Sequence, residues 1–185
     1  MKMENISAKK LRKLITNAFG LRVLDLSGKR LSKVPEAVID LTELMRLDLS
    51  DNYLKELPTS INKLKNLEWL RLDRNQLKEL PHSICELSNL TLLSVGYNQL
   101  SVLPANIKHL ENLRALDLRY NQLKTLPDEI GELKKLTNLF VTGNPLTLEG
   151  MRKLVKLKNK MKFGTDVRGK DMKCSIFVFY FMSCE

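Results

Sequence analysis

The stretch Leu70–Leu90, LRLDRNQLKELPHSICELSNL, carries leucines at 70, 72, 77, 80, 87 and 90. No single helical or strand period accounts for that spacing. Two local rhythms joined by a turn do. Leu70 and Leu72 alternate with period two, the pattern of a strand with one face inward. Pro81, Ile84 and Leu87 are spaced by three, which suits one or two helical turns. Asn75 lies between the two rhythms and is followed by Leu77. The chain must turn there, leaving backbone donors and acceptors without ladder or helix partners. A buried asparagine satisfies such groups through its amide.

The stretch recurs. Copies of L-x-x-L-x-L-x-x-N-x-L-x-x-L-P-x-x-I-x-x-L-x-x begin at Leu21, Leu44, Leu67, Leu90, Leu113 and Leu136, a 23-residue period with no insertion. Position nine reads Lys29, Asn52, Asn75, Asn98, Asn121 and Asn144. Stacked copies would line these amides up in a structural column. Position fifteen reads Pro35, Pro58, Pro81, Pro104 and Pro127, then Gly150. Each copy is too small to bury its own leucines, so neighbours must stack. The expected fold is an α/β solenoid with a short parallel sheet on its inner, concave face.

The repeat resembles the leucine-rich repeat family. Its LPxxIxxLxN ending is similar to the intracellular subgroup that includes Ras-suppressor-like, Shoc-type and plant Ras-group-related proteins. The resemblance covers residues 21–146. It implies a right-handed horseshoe whose concave face binds other proteins, often in signalling. The partners it suggests are a small GTPase, a phosphatase or a kinase.

The ends should cover the terminal leucines. Residues 1–20 are read as an N-terminal capping helix, with Leu11, Leu14, Ile15 and Phe19 on one face and Ser7 as N-cap. The alternative is a basic amphipathic helix on a membrane surface. Residues 147–163 are read as a C-terminal capping helix, with Met151, Leu154, Val155 and Met161 inward. Residues 164–185 are read as a poorly ordered tail ending in the apolar run Ile176–Met182, too short to span a bilayer. That run has three readings: a strand on the last coil, a docking segment for a partner, or the end of a truncated or alternative product. Cys184 is second from the end, so no prenylation box is formed.

The net charge of +10 sits at the ends: +4 over residues 1–20, +1 over 21–143 and +5 over 144–185. A basic excess admits RNA or acidic membrane as ligand through the caps. Against this, the excess is split between two ends and lacks an aromatic–basic platform. Cys85, Cys174 and Cys184 follow no paired pattern, which suits a reducing compartment. The polar N-terminus lacks the apolar core of a signal peptide. The expectation is a cytoplasmic or nuclear monomer that is not secreted and has no transmembrane segment.

No catalytic, cofactor or metal residues are expected. The eight glycines are scattered and form no phosphate loop. His82 and Cys85 could share a helical face, but His109 falls in another repeat and a metal needs more ligands.

Function should therefore lie at strand positions the repeat leaves free: three, five, seven and eight. These contribute Arg46, Asp48, Trp69, Arg71, Asp73, Arg74, Leu92, Ser94, Tyr97, Asp117, Arg119 and Tyr120 as the candidate protein-binding face. Aromatics and arginine carry interface energy, and interleaved signs favour a protein over a long polyanion. Adjacent Arg/Asp pairs can also simply satisfy each other.

Overall fold

The 23-residue step is visible in the strand pairing. Val23, Arg46, Trp69, Leu92, Ala115 and Asn138 face one another across successive strands. The computed structural model describes residues 6–18, 20–160 and 175–177. Strands β2 (Leu21–Asp25), β3 (Arg46–Asp48), β4 (Trp69–Arg71), β5 (Leu92–Ser94), β6 (Ala115–Asp117) and β7 (Asn138–Phe140) run parallel in sequence order. The chain returns along the opposite side through a short helix, α2 (Glu36–Ile39), and then 3₁₀ turns at Thr59–Lys63, His82–Glu86, Ala105–His109 and Asp128–Glu132. A proline precedes each return segment and starts it in extended backbone.

The core is a set of leucine columns between sheet and return segments. Leu47, Leu49, Leu54, Leu57, Ile61 and Leu64 are buried, as are their counterparts in the next coils. Each such side chain gains about 1.5–3 kcal/mol on leaving water. Stacking supplies this, since no coil encloses its own leucines.

The asparagines join coil to coil. The Asn98 amide donates to Leu72 O of the previous coil (2.9 Å) and to Val95 O of its own (3.1 Å). Its side-chain oxygen accepts Leu77 N–H at 3.0 Å. Asn52, Asn75, Asn121 and Asn144 repeat this geometry. A second asparagine series, at position twenty-three, holds the far end of the coils. Asn66, Asn89 and Asn112 donate to Thr42 O, Lys65 O and Ser88 O.

Position eight carries a feature that residue type conceals. Asp51, Arg74, Tyr97 and Tyr120 all adopt left-handed backbone, with φ of 54°, 54°, 54° and 53°. Gly28 and Gly143 hold the same region at the two ends of the series. The bend aims each N–H at the next coil: Arg74 N donates to Gly96 O (2.9 Å) and Tyr97 N to Arg119 O (2.8 Å). Such a conformation costs about 1–2 kcal/mol for a residue with a Cβ. The inter-coil bonds and packing offset it.

The N-terminal cap differs from a single helix. Helix α1 covers only Ala8–Arg12, and Thr16–Ala18 forms β1, antiparallel to β2. β-branched Ile15 and Thr16 are poor helix formers, and the free edge of β2 offers ladder bonds instead. Gly20, at φ +80°, closes the connection. Leu11 is buried and Ile15 packs on the core, but Leu14 is exposed. Ser7 stands at the N-cap without a capping bond from its side chain.

Helix α3 (Leu148–Lys160) covers the other end. Thr147 Oγ1 accepts Gly150 N–H at 3.2 Å and caps it. Gly150 takes the place of proline because a Cβ there would lie 2.5 Å from Lys124 O. Met151, Leu154 and Leu157 face the core, while Val155 is exposed. The helix docks along a spacing-three seam, so Leu157 takes the role expected of Val155. Residues Ser175–Phe177 form β8, parallel to β7. The first part of the apolar run is thus an eighth strand. Phe19, Met161 and the rest of the run, 178–182, lie outside the described residues.

Candidate functional site

The free strand positions gather on the exposed side of the sheet, and neighbouring coils put their side chains in contact. At position three, the Arg46 guanidinium carbon lies 3.5 Å from the Trp69 ring centroid. Leu92 is Trp69's partner in the next strand, followed by Ala115. At position eight a ladder runs across the coils. Asp51 pairs with Arg74 at 3.8 Å, and Arg74 lies over Tyr97 at 4.7 Å. Tyr97 stacks on Tyr120 with centroids 4.4 Å apart and planes 18° from parallel. The Tyr120 ring in turn covers Gly143, where a Cβ would fall 2.5 Å from it. Both tyrosines remain exposed at their edges.

The charged residues are mutually engaged. Arg71 Nη1 donates to Asp48 Oδ2 at 3.0 Å, and its Nε lies 3.6 Å from Asp73 Oδ2. Arg119 donates to Asp117 through Nε and Nη2, the latter at 2.6 Å. The bond to Asp117 raises the Arg119 pKa, so it stays a cation. Several aspartates also serve the backbone. Asp48 Oδ1 accepts Ser50 N–H, Asp117 Oδ1 accepts Arg119 N–H, and Asp73 Oδ1 accepts Gly96 N–H together with the Ser94 hydroxyl. Asp25 uses the same device with Ser27. Hydrogen bonds from Ser27 hold its carboxyl below the usual range. The structure therefore separates the twelve candidate residues into two kinds. Asp48, Asp73, Asp117 and Ser94 hold the sheet face in shape, whereas Trp69, Arg71, Arg74, Leu92, Tyr97, Arg119 and Tyr120 present surface, with Arg46 backing Trp69.

Two residues left out of the candidate set belong with it. Ala115 and Phe140, together with Trp69 and Leu92, border a hollow of about 300 Å³ on this face. The signal was present in the repeat alignment. Side-chain size drops at Ser94, Gly96 and Ala115, between Trp69 and Phe140.

Among the described residues no cluster of three His, Cys, Asp or Glu side chains could hold a metal. His82 is exposed and Cys85 buried, so they do not share a face. No described helix is long and apolar enough to cross a membrane.

Comparison with known proteins agrees with this geometry. The family described as leucine rich repeat matches residues 19–77, 42–100, 66–123 and 88–146. Among solved structures, a leucine-rich repeat protein of Leptospira interrogans is 29% identical, with TM-score 0.57, over 85% of this chain and 51% of that one. Internalin C2 of Listeria monocytogenes is 27% identical, with TM-score 0.62, over 72% of this chain and 56% of that one. The ectodomain of the Arabidopsis thaliana receptor kinase GASSHO1/SCHENGEN3 is 35% identical, with TM-score 0.62, over 68% of this chain and 16% of that one. The chain thus spans about half the length of the Leptospira protein and less of the receptor ectodomain. No curated protein matches the chain.

Proposed function

The chain belongs to the leucine-rich repeat family, and on that premise we propose that it is a protein-interaction module that takes a partner on its sheet face. Proteins of this family generally mediate protein–protein interaction, and the fold is typically a non-enzymatic scaffold. One observation carries the reading to this face. Trp69, Leu92, Tyr97 and Tyr120 sit together on it, partly exposed and flanked by arginines. These residue types bury large areas at small entropic cost. The Arabidopsis ectodomain was solved in complex with Casparian strip integrity factor 2, which is precedent for partner recognition by such a coil.

The finer assignment is an adaptor in intracellular signalling, with a GTPase, phosphatase or kinase as client. It rests on the likeness of the LPxxIxxLxN ending to the intracellular subgroup. The cytoplasmic placement rests on cysteine usage.

The test is a crosslinking pull-down from cell extract, comparing wild type with Trp69→Ala plus Arg71→Ala. Circular dichroism checks that both are folded. A client retained by wild type and lost by the variant supports the reading. The same proteins retrieved by both, or none by either, would overturn it.

A further inference from the structure

The hollow between Trp69 and Phe140 is apolar at its floor and exposes guanidinium groups at its rim, and the two features together point to a class of ligand. Its floor is Leu92, Leu93 and Ala115, and its ends are the Trp69 and Phe140 rings. The volume of about 300 Å³ is at the small end for binding pockets. It admits one large side chain, not a whole small protein element.

Three carboxylates and two guanidinium groups edge the hollow, but the guanidinium groups are the more exposed. Arg71 and Arg119 leave 52% and 45% of their side chains exposed, against 20%, 16% and 15% for Asp48, Asp73 and Asp117. The reason is in the hydrogen bonds. The aspartates turn inward to backbone N–H groups and to the Ser94 hydroxyl, so their oxygens are covered. Each guanidinium has five N–H donors and only two of its nitrogens are engaged by aspartate. Arg46 lies over the Trp69 ring, and its Nε and Asp73 Oδ2 are both buried, so neither adds to what the rim exposes. The surface around the hollow thus offers donors in excess of acceptors. A basic segment would meet guanidinium groups first and find the compensating carboxylates already covered.

We infer that the hollow takes a single apolar side chain of a partner protein segment in which acidic residues flank that anchor. The segment's carboxylates reach Arg71 on one side and Arg119 on the other. This rests on the reading of the sheet face as a protein-binding surface, and it names the chemistry of the partner.

The test uses the full chain and a random dodecapeptide display library, panned in parallel on wild type and Ala115→Leu. The substitution fills the floor of the hollow without touching a charge. A synthetic peptide of the enriched sequence is then titrated by Trp69 fluorescence, which reports the site directly because the chain has one tryptophan. Enriched sequences should share an apolar residue with Asp or Glu on both sides. Affinity should fall about tenfold or more in Ala115→Leu, the scale of losing a central anchor, and it should fall as salt is raised. Arg71→Gln, which leaves the floor intact, should weaken the acidic peptide several-fold more than its Asn/Gln counterpart, and it carries the test if Ala115→Leu does not fold.

Basic or wholly polar enriched sequences, no enrichment, or affinity unchanged in both variants would overturn the inference. The extract pull-down separates this from the broader reading. A client kept by Ala115→Leu but lost by the Trp69/Arg71 variant overturns the hollow alone. A client kept by both overturns the sheet face as well.

Discussion

Tyr97 and Tyr120 stack with ring centroids 4.4 Å apart although both hold left-handed backbone, at φ 54° and 53°. The two facts are linked. The left-handed bend sends each N–H to the next coil and projects each ring from the same point of its turn, one 23-residue step apart. The ladder then ends on Gly143, whose missing Cβ makes room for the Tyr120 ring.

Gly143→Ala should therefore destabilise by about 2–3 kcal/mol, from ring overlap and left-handed strain together. In a Tyr120→Ala background the overlap is gone, and the same change should cost only about 1 kcal/mol. Urea denaturation of the four proteins measures this coupling. Equal costs in both backgrounds would refute the contact.

Asn98→Ala removes bonds to Leu72 O, Val95 O and Leu77 N and leaves those groups buried. The expected loss is about 2–4 kcal/mol by chemical denaturation. Asn144→Ala should cost less, because the last coil is more open to water there. A neutral Asn98→Ala would remove the asparagine column as a source of stability.

Burial pushes the Cys85 thiol up to about 11 from an ordinary 9.0, with Glu86 adding to the shift. The unfolded chain loses this proton first, so it binds fewer protons than the folded chain between those values. The contribution is present below pH 9 and declines as pH rises towards 11. The stability difference between wild type and Cys85→Ala should shrink by about 2 kcal/mol across that window. An unchanged difference would mean that the thiol is not buried in solution.

Strand β8 brings Ser175–Phe177, the start of the apolar run, into the sheet beside β7. Deleting residues 164–185 should speed hydrogen exchange at Asn138–Phe140, the strand it pairs with, and lower stability by about 1–2 kcal/mol. Unchanged exchange in β7 would show that the segment does not pair there.

The legible parts of this protein are those set by neighbours in the chain. Leu47 and Leu49 read as one strand face, and Pro58 and Ile61 as a return turn, because each pattern lies within a few residues. The N-terminal segment misled for the opposite reason. Leu11, Leu14 and Ile15 fit a helix locally, but the free edge of β2 recruits Thr16–Ala18 as a strand. Val155 and Leu157 exchanged roles because the docking seam of α3 depends on where the fifth repeat lies.

The candidate face divides in the same way. The period places positions three, five, seven and eight on one face of the sheet, although Ser50 at position seven is buried there and Ala115 and Phe140 fell outside the candidate set. The division of labour on that face does not follow from the period. Asp73 is indistinguishable from a surface acid in the sequence, yet it holds Gly96 N–H and the Ser94 hydroxyl of the next coil. Tyr97 and Tyr120 carry no local signal for left-handed backbone.

The repeat, its 23-residue step and the inward leucines of the coils are legible in the sequence, because burying leucine requires a periodicity that the chain must carry in its own order. That Asp48, Asp73 and Asp117 hold backbone N–H groups, where the sheet face is hollow, and how tyrosine keeps a glycine's conformation follow from the stacked coils alone. Those outcomes depend on side chains a full coil apart in sequence that meet only when the coils stack.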